Sequence, residues 1–312
     1  MDFTLFNNRL SGSLDWFRKR GKDIFHTMRI DCTKGYESVV MNYADLLNNG
    51  FEASLSYDWF RPNEQRDFSW NSALTLTFVK NEITRVDEAA TTPNALVAGG
   101  LKVGYPVHAL FSLPYAGVEE VNGKGIPTWH KADGSTTNDY LKSSDMSVVV
   151  YSGSEDPKTN IGFSNTLRYK GVSLSFLLVY YGGHYLRALQ PSGMPGLQYR
   201  AFPSYLKDSW TPENTDTLVP GFGQYSTQST TSNIYYTDAF VRPAAFLKLR
   251  NIVVGYDLPQ SFARKLGMRS ASIRFQIDNP KALWVKNDVG IDPETGGIRQ
   301  LTSYIFGINF NF

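Results

Sequence analysis

The 312 residues carry 31 basic and 29 acidic side chains, a formal net charge of +2, which excludes a nucleic-acid-coating charge surface as the dominant theme. Hydrophobic residues make up 42% and aromatics 14%, beside 26 glycines and many Asn, Ser and Thr, a mix that suits strands and turns better than helices. The longest apolar run, Phe176 to Tyr181, falls far short of the roughly 18 to 20 residues that a membrane-spanning helix requires, but a transmembrane β-barrel never produces such a block and stays compatible with the sequence.

From the start of the chain, the expected elements are strands. Met1 to Phe6 lacks the basic start, apolar core and cleavage site of an export signal, so the protein is expected either to stay inside the cell or to lack its beginning. Asn7-Asn8 predicts a tight turn, because Asn tolerates positive φ. In the run Leu10 to Arg18, Leu10, Leu14 and Trp16 then alternate with Ser11, Ser13 and Asp15. Phe51 to Phe60 is the cleanest case: Phe51, Ala53, Leu55, Tyr57 and Trp59 share a face against Glu52, Ser54, Ser56 and Asp58. Phe68, Trp70, Leu74, Leu76 and Phe78 repeat it, with Ser72 and Ala73 as exceptions. Tyr105 to Tyr115 reads as a strand weakened at its ends by Pro106 and Pro114. Ile161, Phe163, Leu167 and Tyr169 lead through the two-residue loop Lys170-Gly171 into Val172, Leu174, Phe176, Leu178 and Tyr180. Phe246 to Asp257 changes phase between Leu249 and Ile252, which predicts a β-bulge near Arg250 or Asn251. A helical turn is expected at Pro259 to Gly267. Two further strands follow, with Ala271, Ile273, Phe275 and Ile277 on one face of the first and Tyr304, Phe306, Ile308, Phe310 and Phe312 on one face of the second.

Connections are short at Asn7-Asn8, Arg61 to Asp67 and Lys170-Gly171. They are long at Gly21 to Gly50, Asn81 to Gly104, Gly182 to Ala245 and Asp278 to Leu301, an asymmetry typical of outer-membrane barrels. Ala116 to Thr159 is long where a short turn is due, and a strand at Ser147 to Tyr151 would repair the alternation, for about eleven strands. An odd number leaves the first and last strands running the same way, unable to close a simple up-and-down barrel, so the chain reads as the tail end of a longer protein. The competing reading is a soluble β-sandwich-like binding or structural module with long loops. Strands of about ten residues, one-sided long loops and aromatics at strand ends (Tyr57 with Trp59, Phe68 with Trp70, Tyr304 with Phe312) favour the barrel.

Catalytic chemistry finds no support. Glu52 and Asp58 share a face, but six residues of strand separate them by about 20 Å, beyond the roughly 5 to 10 Å of a hydrolytic carboxylate pair. His26, His108, His130 and His184 lack metal-ligand spacing, and the single cysteine, Cys32, has no partner for a disulfide. Gly117 to Lys124 fails as a phosphate loop, since Gly125 stands where Ser or Thr is needed. Asn287, Asp288, Asp292 and Glu294 match no EF-hand spacing and read better as a solvated acidic loop than as a Ca²⁺ site. No enzyme and no cofactor are expected. Because sugars are held by aromatic faces and planar polar groups, Trp129, His130, His184 and Tyr185 are the candidate substrate contacts.

Several motifs in order carry a resemblance: Phe6-Asn7-Asn8-Arg9-Leu10-Ser11-Gly12-Ser13-Leu14-Asp15, Asn49-Gly50-Phe51-Glu52, Asp208-Ser209-Trp210-Thr211-Pro212-Glu213-Asn214, Phe246-Leu247-Lys248-Leu249-Arg250-Asn251-Ile252 and Gly255-Tyr256-Asp257-Leu258-Pro259. Together they resemble the C-terminal half of SusC/RagA-type TonB-linked outer-membrane transporters of Bacteroidota, over essentially the whole chain. The resemblance implies an all-β fold in which residues 1–312 form a transmembrane antiparallel β-barrel portion, about 10 to 11 strands of a 22-stranded barrel, with long extracellular loops and short periplasmic turns. It implies a plug domain and TonB box that are not recognisable in this sequence. It further implies glycan or peptide uptake with a SusD-like lipoprotein, drive from TonB, ExbB and ExbD, and contact with outer-membrane lipids. Tyr304, Phe306, Ile308, Phe310 and Phe312 resemble the C-terminal signal read by the barrel-assembly machinery. Trp210 is expected to pack a loop.

Overall fold

The computed structural model describes residues 1–29, 33, 35, 38–63, 67–87, 89–138, 145–188, 207–221 and 234–312; Cys32 and the side chain of His26 lie outside the described residues. The chain begins with β1 (Asp2–Leu5), β2 (Leu10–Arg29), β3 (Ser38–Phe60) and β4 (Phe68–Val86). A long excursion then carries helix α1 (Pro93–Val97), β5 (Ala109–Ser112), β6 (Tyr115–Val121), β7 (Lys124–His130), β8 (Thr136–Thr137) and β9 (Val150–Ser154). The hairpin β10 (Thr159–Tyr169) and β11 (Val172–Gly182) follows, then the short β12 (Tyr185–Arg187) and β13 (Val241–Pro243). The chain ends with β14 (Phe246–Asp257), helix α2 (Gln260–Lys265), β15 (Ser270–Asp278), β16 (Trp284–Val285) and β17 (Ser303–Asn311).

One ten-stranded antiparallel sheet forms a wall in the order β1-β2-β3-β4-β10-β11-β14-β15-β17, with β16 beside β14. Its register lines up the apolar residues of successive strands. Phe60, Trp70, Leu167, Leu174, Val254, Phe275 and Phe306 are cross-strand neighbours in a single row. The other face carries Ser13, Ser54 and Thr75 in a matching row. Among the described residues no second sheet covers the apolar face. Trp16 is 72% and Phe306 63% exposed. A sandwich needs that face packed against a partner layer about 10 Å away, so the soluble-module reading is set aside.

The turns follow from their residues. Lys170 (φ 45°) and Gly171 (φ 84°) make the two-residue hairpin, whose positive φ values match the right-handed twist of its strands. At Asn7-Asn8 the turn is longer than expected, spanning residues 6–9 with Phe6, Asn7 and Asn8 all at positive φ, and the Arg61 guanidinium donates to the carbonyls of Asn7 and Asn8. The bulge falls at Arg250, where pairing jumps from Leu177↔Asn251 to Leu178↔Leu249.

Two expected wall strands are not in the wall. Tyr105 to Tyr115 contributes only β5, and Ser147 to Tyr151 becomes a 3-10 turn at Met146–Val148 followed by β9; the two pair with each other in a separate sheet. β4 instead pairs directly with β10, from Phe78↔Thr159 to Phe68↔Tyr169. Alternation reports that one face of a strand is buried, not what buries it. Here Phe111 and Leu113 are buried in a cluster with Leu96, Trp129 and Phe240, formed by the excursions themselves. Gly21 to Gly50 was also expected as a connection, yet β2 and β3 run to 20 and 23 residues. A lipid band needs only about 9 to 11 residues per strand. The remainder projects past it, and register shifts after Gly21 and Ile24 break the period that would have revealed it.

The exceptions within the apolar face pair with each other. Ser72 on β4 lies opposite Asn165 on β10, 8% and 4% exposed. Ser72 Oγ donates to Asn165 Oδ1 at 2.6 Å, Trp70 Nε1 donates to the same oxygen at 2.9 Å, and Trp59 Nε1 donates to Ser72 Oγ at 3.0 Å. The two indoles stack at 5.4 Å over the pair. Polar groups on an apolar face are tolerated when satisfied internally; the two indoles and Ser72 do this for the Ser72 hydroxyl and Asn165 Oδ1, while Asn165 Nδ2 has no partner among the described residues.

Candidate functional site

The long connections leave the same end of the wall, and the described parts of those spanning residues 87–158 and 183–245 pack together into a cap. Its core is Leu96, Val97, Phe111, Leu113, Trp129, Val148, Ile234 and Phe240. Arg187 on β12 ties three segments together by donating to the carbonyls of Phe111 at 2.5 Å, Tyr235 at 3.2 Å and Thr237 at 3.4 Å. Trp210 is buried against Gly125, where any Cβ would stand 2.5 Å from the indole. The Asp208–Asn214 motif is therefore a packing element of the cap.

The four sequence-derived contact residues fall at two places. Trp129 is 0% exposed within the cap core, so it packs the loops and offers no face to a ligand; aromatic residue type in a loop says nothing about which side of the loop it takes. His130, one residue on, is exposed at the end of β7, its N–H donating to Pro114 O at 3.0 Å. His184 is buried beside Phe246, at the junction of β11 and β12, and its Nδ1 has no hydrogen-bond partner among the described residues. Burial pushes the imidazole down from its ordinary value, against an opposing pull from Asp156. Tyr185 is 39% exposed and lies flat over Gly153. Gly153 sits at φ 130°, and a Cβ there would meet the Tyr185 ring at 2.3 Å. Gly153→Ala is expected to displace Tyr185 and destabilise the cap by about 1–3 kcal/mol, read as a lowered melting temperature that Tyr185→Ala partly restores.

Sequence reasoning missed a cleft beside Tyr151, whose phenol neighbours that of Tyr185. The cleft has a volume of about 540 Å³ and lies where β4 rises above the last paired residue of β10, lined by Asn48, Val79 to Asn81, Gly104 to Pro106, Tyr151, Ser154 and Asp156 to Lys158. Tyr105 and Tyr151 meet edge to face at 5.0 Å, and burial pushes the Tyr151 phenol up, helped by the neighbouring phenols of Tyr105 and Tyr185. No single segment carries this pattern, so only the tyrosines among isolated polar residues could have hinted at it.

The acidic loop divides: Asp288 is 86% exposed at its side chain, whereas Glu294 and Asp292 face cations of the wall. Glu294 accepts from Lys248 Nζ at 2.8 Å and pairs with Arg250 at 2.7 Å, while Asp292 lies 3.9 Å from Lys248. Lys248 and the bulged Arg250 thus fasten the loop between β16 and β17 to the wall, and the carboxylates are spent on internal cations. Among the described residues no group of three or more His, Cys, Asp or Glu side chains is placed to hold a metal.

At the far edge, Tyr304, Phe306, Ile308 and Phe310 of β17 lie beside Ile277, Phe275, Ile273 and Ala271 of β15. Phe312 follows, 77% exposed. The aromatic belt at the short-turn end is continuous across β3 and β4, with Tyr57 and Trp59 at 4.8 Å and Phe60 and Phe68 at 5.5 Å.

The TonB-dependent receptor P26 of Formosa agariphila is 27% identical to this chain over 317 residues, covering 94% of the chain. TonB-dependent receptor SusC of Bacteroides thetaiotaomicron is 22% identical over 340 residues, covering 100% of it. The solved RagAB peptide importer in its closed-closed state matches 100% of the chain with a TM-score of 0.74 at 25% identity. The chain is thus similar to SusC-like TonB-dependent receptors. No family model matches it. It spans 30% of P26, 31% of SusC and 34% of the RagAB chain, so the receptor wall described above corresponds to about a third of those proteins. The match runs through the cap loops as well as the strands, because it covers the chain from end to end.

Proposed function

We propose that this SusC-like chain forms the C-terminal half, residues 1–312, of an outer-membrane barrel of about 22 strands that imports glycans or peptides. The import is driven by TonB, ExbB and ExbD acting on a preceding plug and TonB box, and a SusD-like lipoprotein receives cargo at the long-loop end. The reading rests chiefly on one observation: the apolar row runs across the wall from Phe60 to Phe306, and among the described residues no second sheet packs on it. In lipid, paired strands satisfy every backbone group while such a face meets acyl chains. The relatives named TonB-dependent receptors and the RagAB peptide importer support the transport reading, and no acid-base or metal constellation among the described residues competes with it. The apolar side of β17, Tyr304 through Phe312, is the proposed assembly signal; His130, His184 and Tyr185 stay as proposed cargo contacts, whereas Trp129 is a packing residue.

Topology tests this directly. In a Cys32→Ser background, Asn122→Cys in the β6–β7 turn is expected to react with an impermeant maleimide on intact cells, and Lys170→Cys only after the outer membrane is opened. The protein should stay with the membrane through salt and alkali and leave with detergent. Equal labelling of both positions in intact cells, or release by salt, defeats the reading.

A further inference from the structure

We propose that the cleft between the upper ends of β3 and β4 and the loops bearing Tyr105 and Tyr151 binds a carboxylate group of the cargo, with Lys158 as its cation. The inference deepens the importer reading and rests on it for the nature of the ligand. At about 540 Å³ the cleft lies within the range of roughly 300 to 1,000 Å³ usual for small-ligand sites. It is also braced on every side. Asn81 Nδ2 donates to Asn48 Oδ1 at 2.8 Å, and Asn81 Oδ1 accepts from Val107 N at 2.8 Å. Ile83 N donates to Tyr105 O at 2.9 Å, which fixes the loop that carries Tyr105. A site held open by bonds among its own walls binds with a smaller ordering cost, confined largely to the exposed Lys158 side chain.

The charges in it are unequal in availability. Asp156 is engaged through both oxygens by His108 Nδ1 at 2.9 Å, and Lys80 by Glu82 at 2.9 Å. Lys158 makes no ion pair among the described residues. Its root is rigid all the same: its N–H donates to Gly182 O and its carbonyl accepts from Val79 N, both at 2.9 Å. Its stem lies over Gly183, where a Cβ would come within 3.1 Å of it. An ammonium on a fixed root, without an acid of its own, in a cleft also lined by Tyr105 and Tyr151, is suited to a carboxylate attached to a ring or to an apolar side chain. Uronate sugars and peptide C-termini both present that chemistry.

The test uses the native-length receptor purified in detergent and four probes: a glucuronate-containing disaccharide, its methyl ester, a tripeptide and its C-terminal amide. At least one acid is expected to bind about tenfold more tightly than its neutral partner, and the pair that shows the ratio identifies the source of the carboxylate. Lys158→Gln should bring that ratio to within twofold of one and leave the neutral probe unchanged. Lys158→Glu should weaken the acid further. The absence of any acid preference in both pairs, or a preference that persists in Lys158→Gln, overturns the site. Salt and detergent extraction of the same preparations reports on the importer reading separately: a membrane-held receptor lacking the ratio loses only this site.

Discussion

Glu294→Ala is expected to free the loop between β16 and β17 from the wall and to cost about 3–5 kcal/mol, the usual penalty for leaving a buried charge without its partner. Lys248 is 4% exposed at its side chain, and removing Glu294 leaves only Asp292, at 3.9 Å, to face it. Hydrogen exchange of amides in residues 286–302, with unfolding free energies, reads the effect. Lys248→Met combined with Glu294→Leu should be milder than Glu294→Ala, since the buried Lys248 charge leaves with its partner and the more exposed Arg250 can turn to water. Slow exchange in that loop in the Glu294→Ala protein would refute the fastening. Acid should mimic the substitution. Burial pushes the Glu294 carboxyl up, but hydrogen bonds from Arg250 and Lys248 outweigh it and hold the group below its ordinary value. A carboxylate with a depressed folded value contributes stability that is complete above its unfolded value, about 4.3 for Glu, and is lost as pH falls through the folded value. The loop is therefore expected to stay fastened near neutrality and to release as pH falls below the usual Glu range.

Asn165→Ala carries the second large effect, about 2–5 kcal/mol, because Ser72 Oγ–H and Trp70 Nε1–H both lose their acceptor on an apolar face and each orphaned donor costs about 1–3 kcal/mol. Ser72→Ala together with Asn165→Leu should cost less than the single change at Asn165, a sign of coupling that a double-mutant cycle in detergent or bilayers measures. Additive effects would show that the pair does not act as a unit. The pair sits at a seam of special importance. β4 and β10 are joined across an excursion of residues 87–158, and Trp70 and Asn165 are 95 positions apart. A one-residue slip there exposes the wrong face. A slip of two keeps the faces but sets Asn165 opposite Trp70 or Leu74, leaving a bare amide in the apolar layer. The native register gives the Asn165 amide oxygen two donors, Ser72 Oγ and Trp70 Nε1.

Much of the wall was legible because pleating is local: side chains alternate whatever the partner, so Phe51 to Phe60, Phe68 to Phe78, Ile161 to Tyr180 and Tyr304 to Phe312 declared their phases directly. Even the bulge at Arg250 was readable, as a change of phase between Leu249 and Ile252. The upper halves of β2 and β3 were not, since register shifts at Gly21 and Ile24 interrupt the period and Tyr43 and Ala44 are buried against Ile83 and the distant Leu101. β5 and β9 carried the right period for the wrong layer. The candidate site was the least legible part. Trp129 and Tyr185 looked alike as loop aromatics, yet one is sealed in the cap core and the other lies half exposed over Gly153.

By itself, the order of residues determined that strands form, which side of each is apolar and where the tight turns fall, because those depend on backbone stereochemistry and the two-residue repeat. Tertiary structure alone decided that β4 takes β10 as its neighbour, that Ser72 finds Asn165, that Lys248 captures Glu294 and that Lys158 ends beside Tyr105 and Tyr151. Each of these joins residues far apart in the chain, and hydrogen-bonding or charge complementarity between distant groups leaves no periodic trace in either segment.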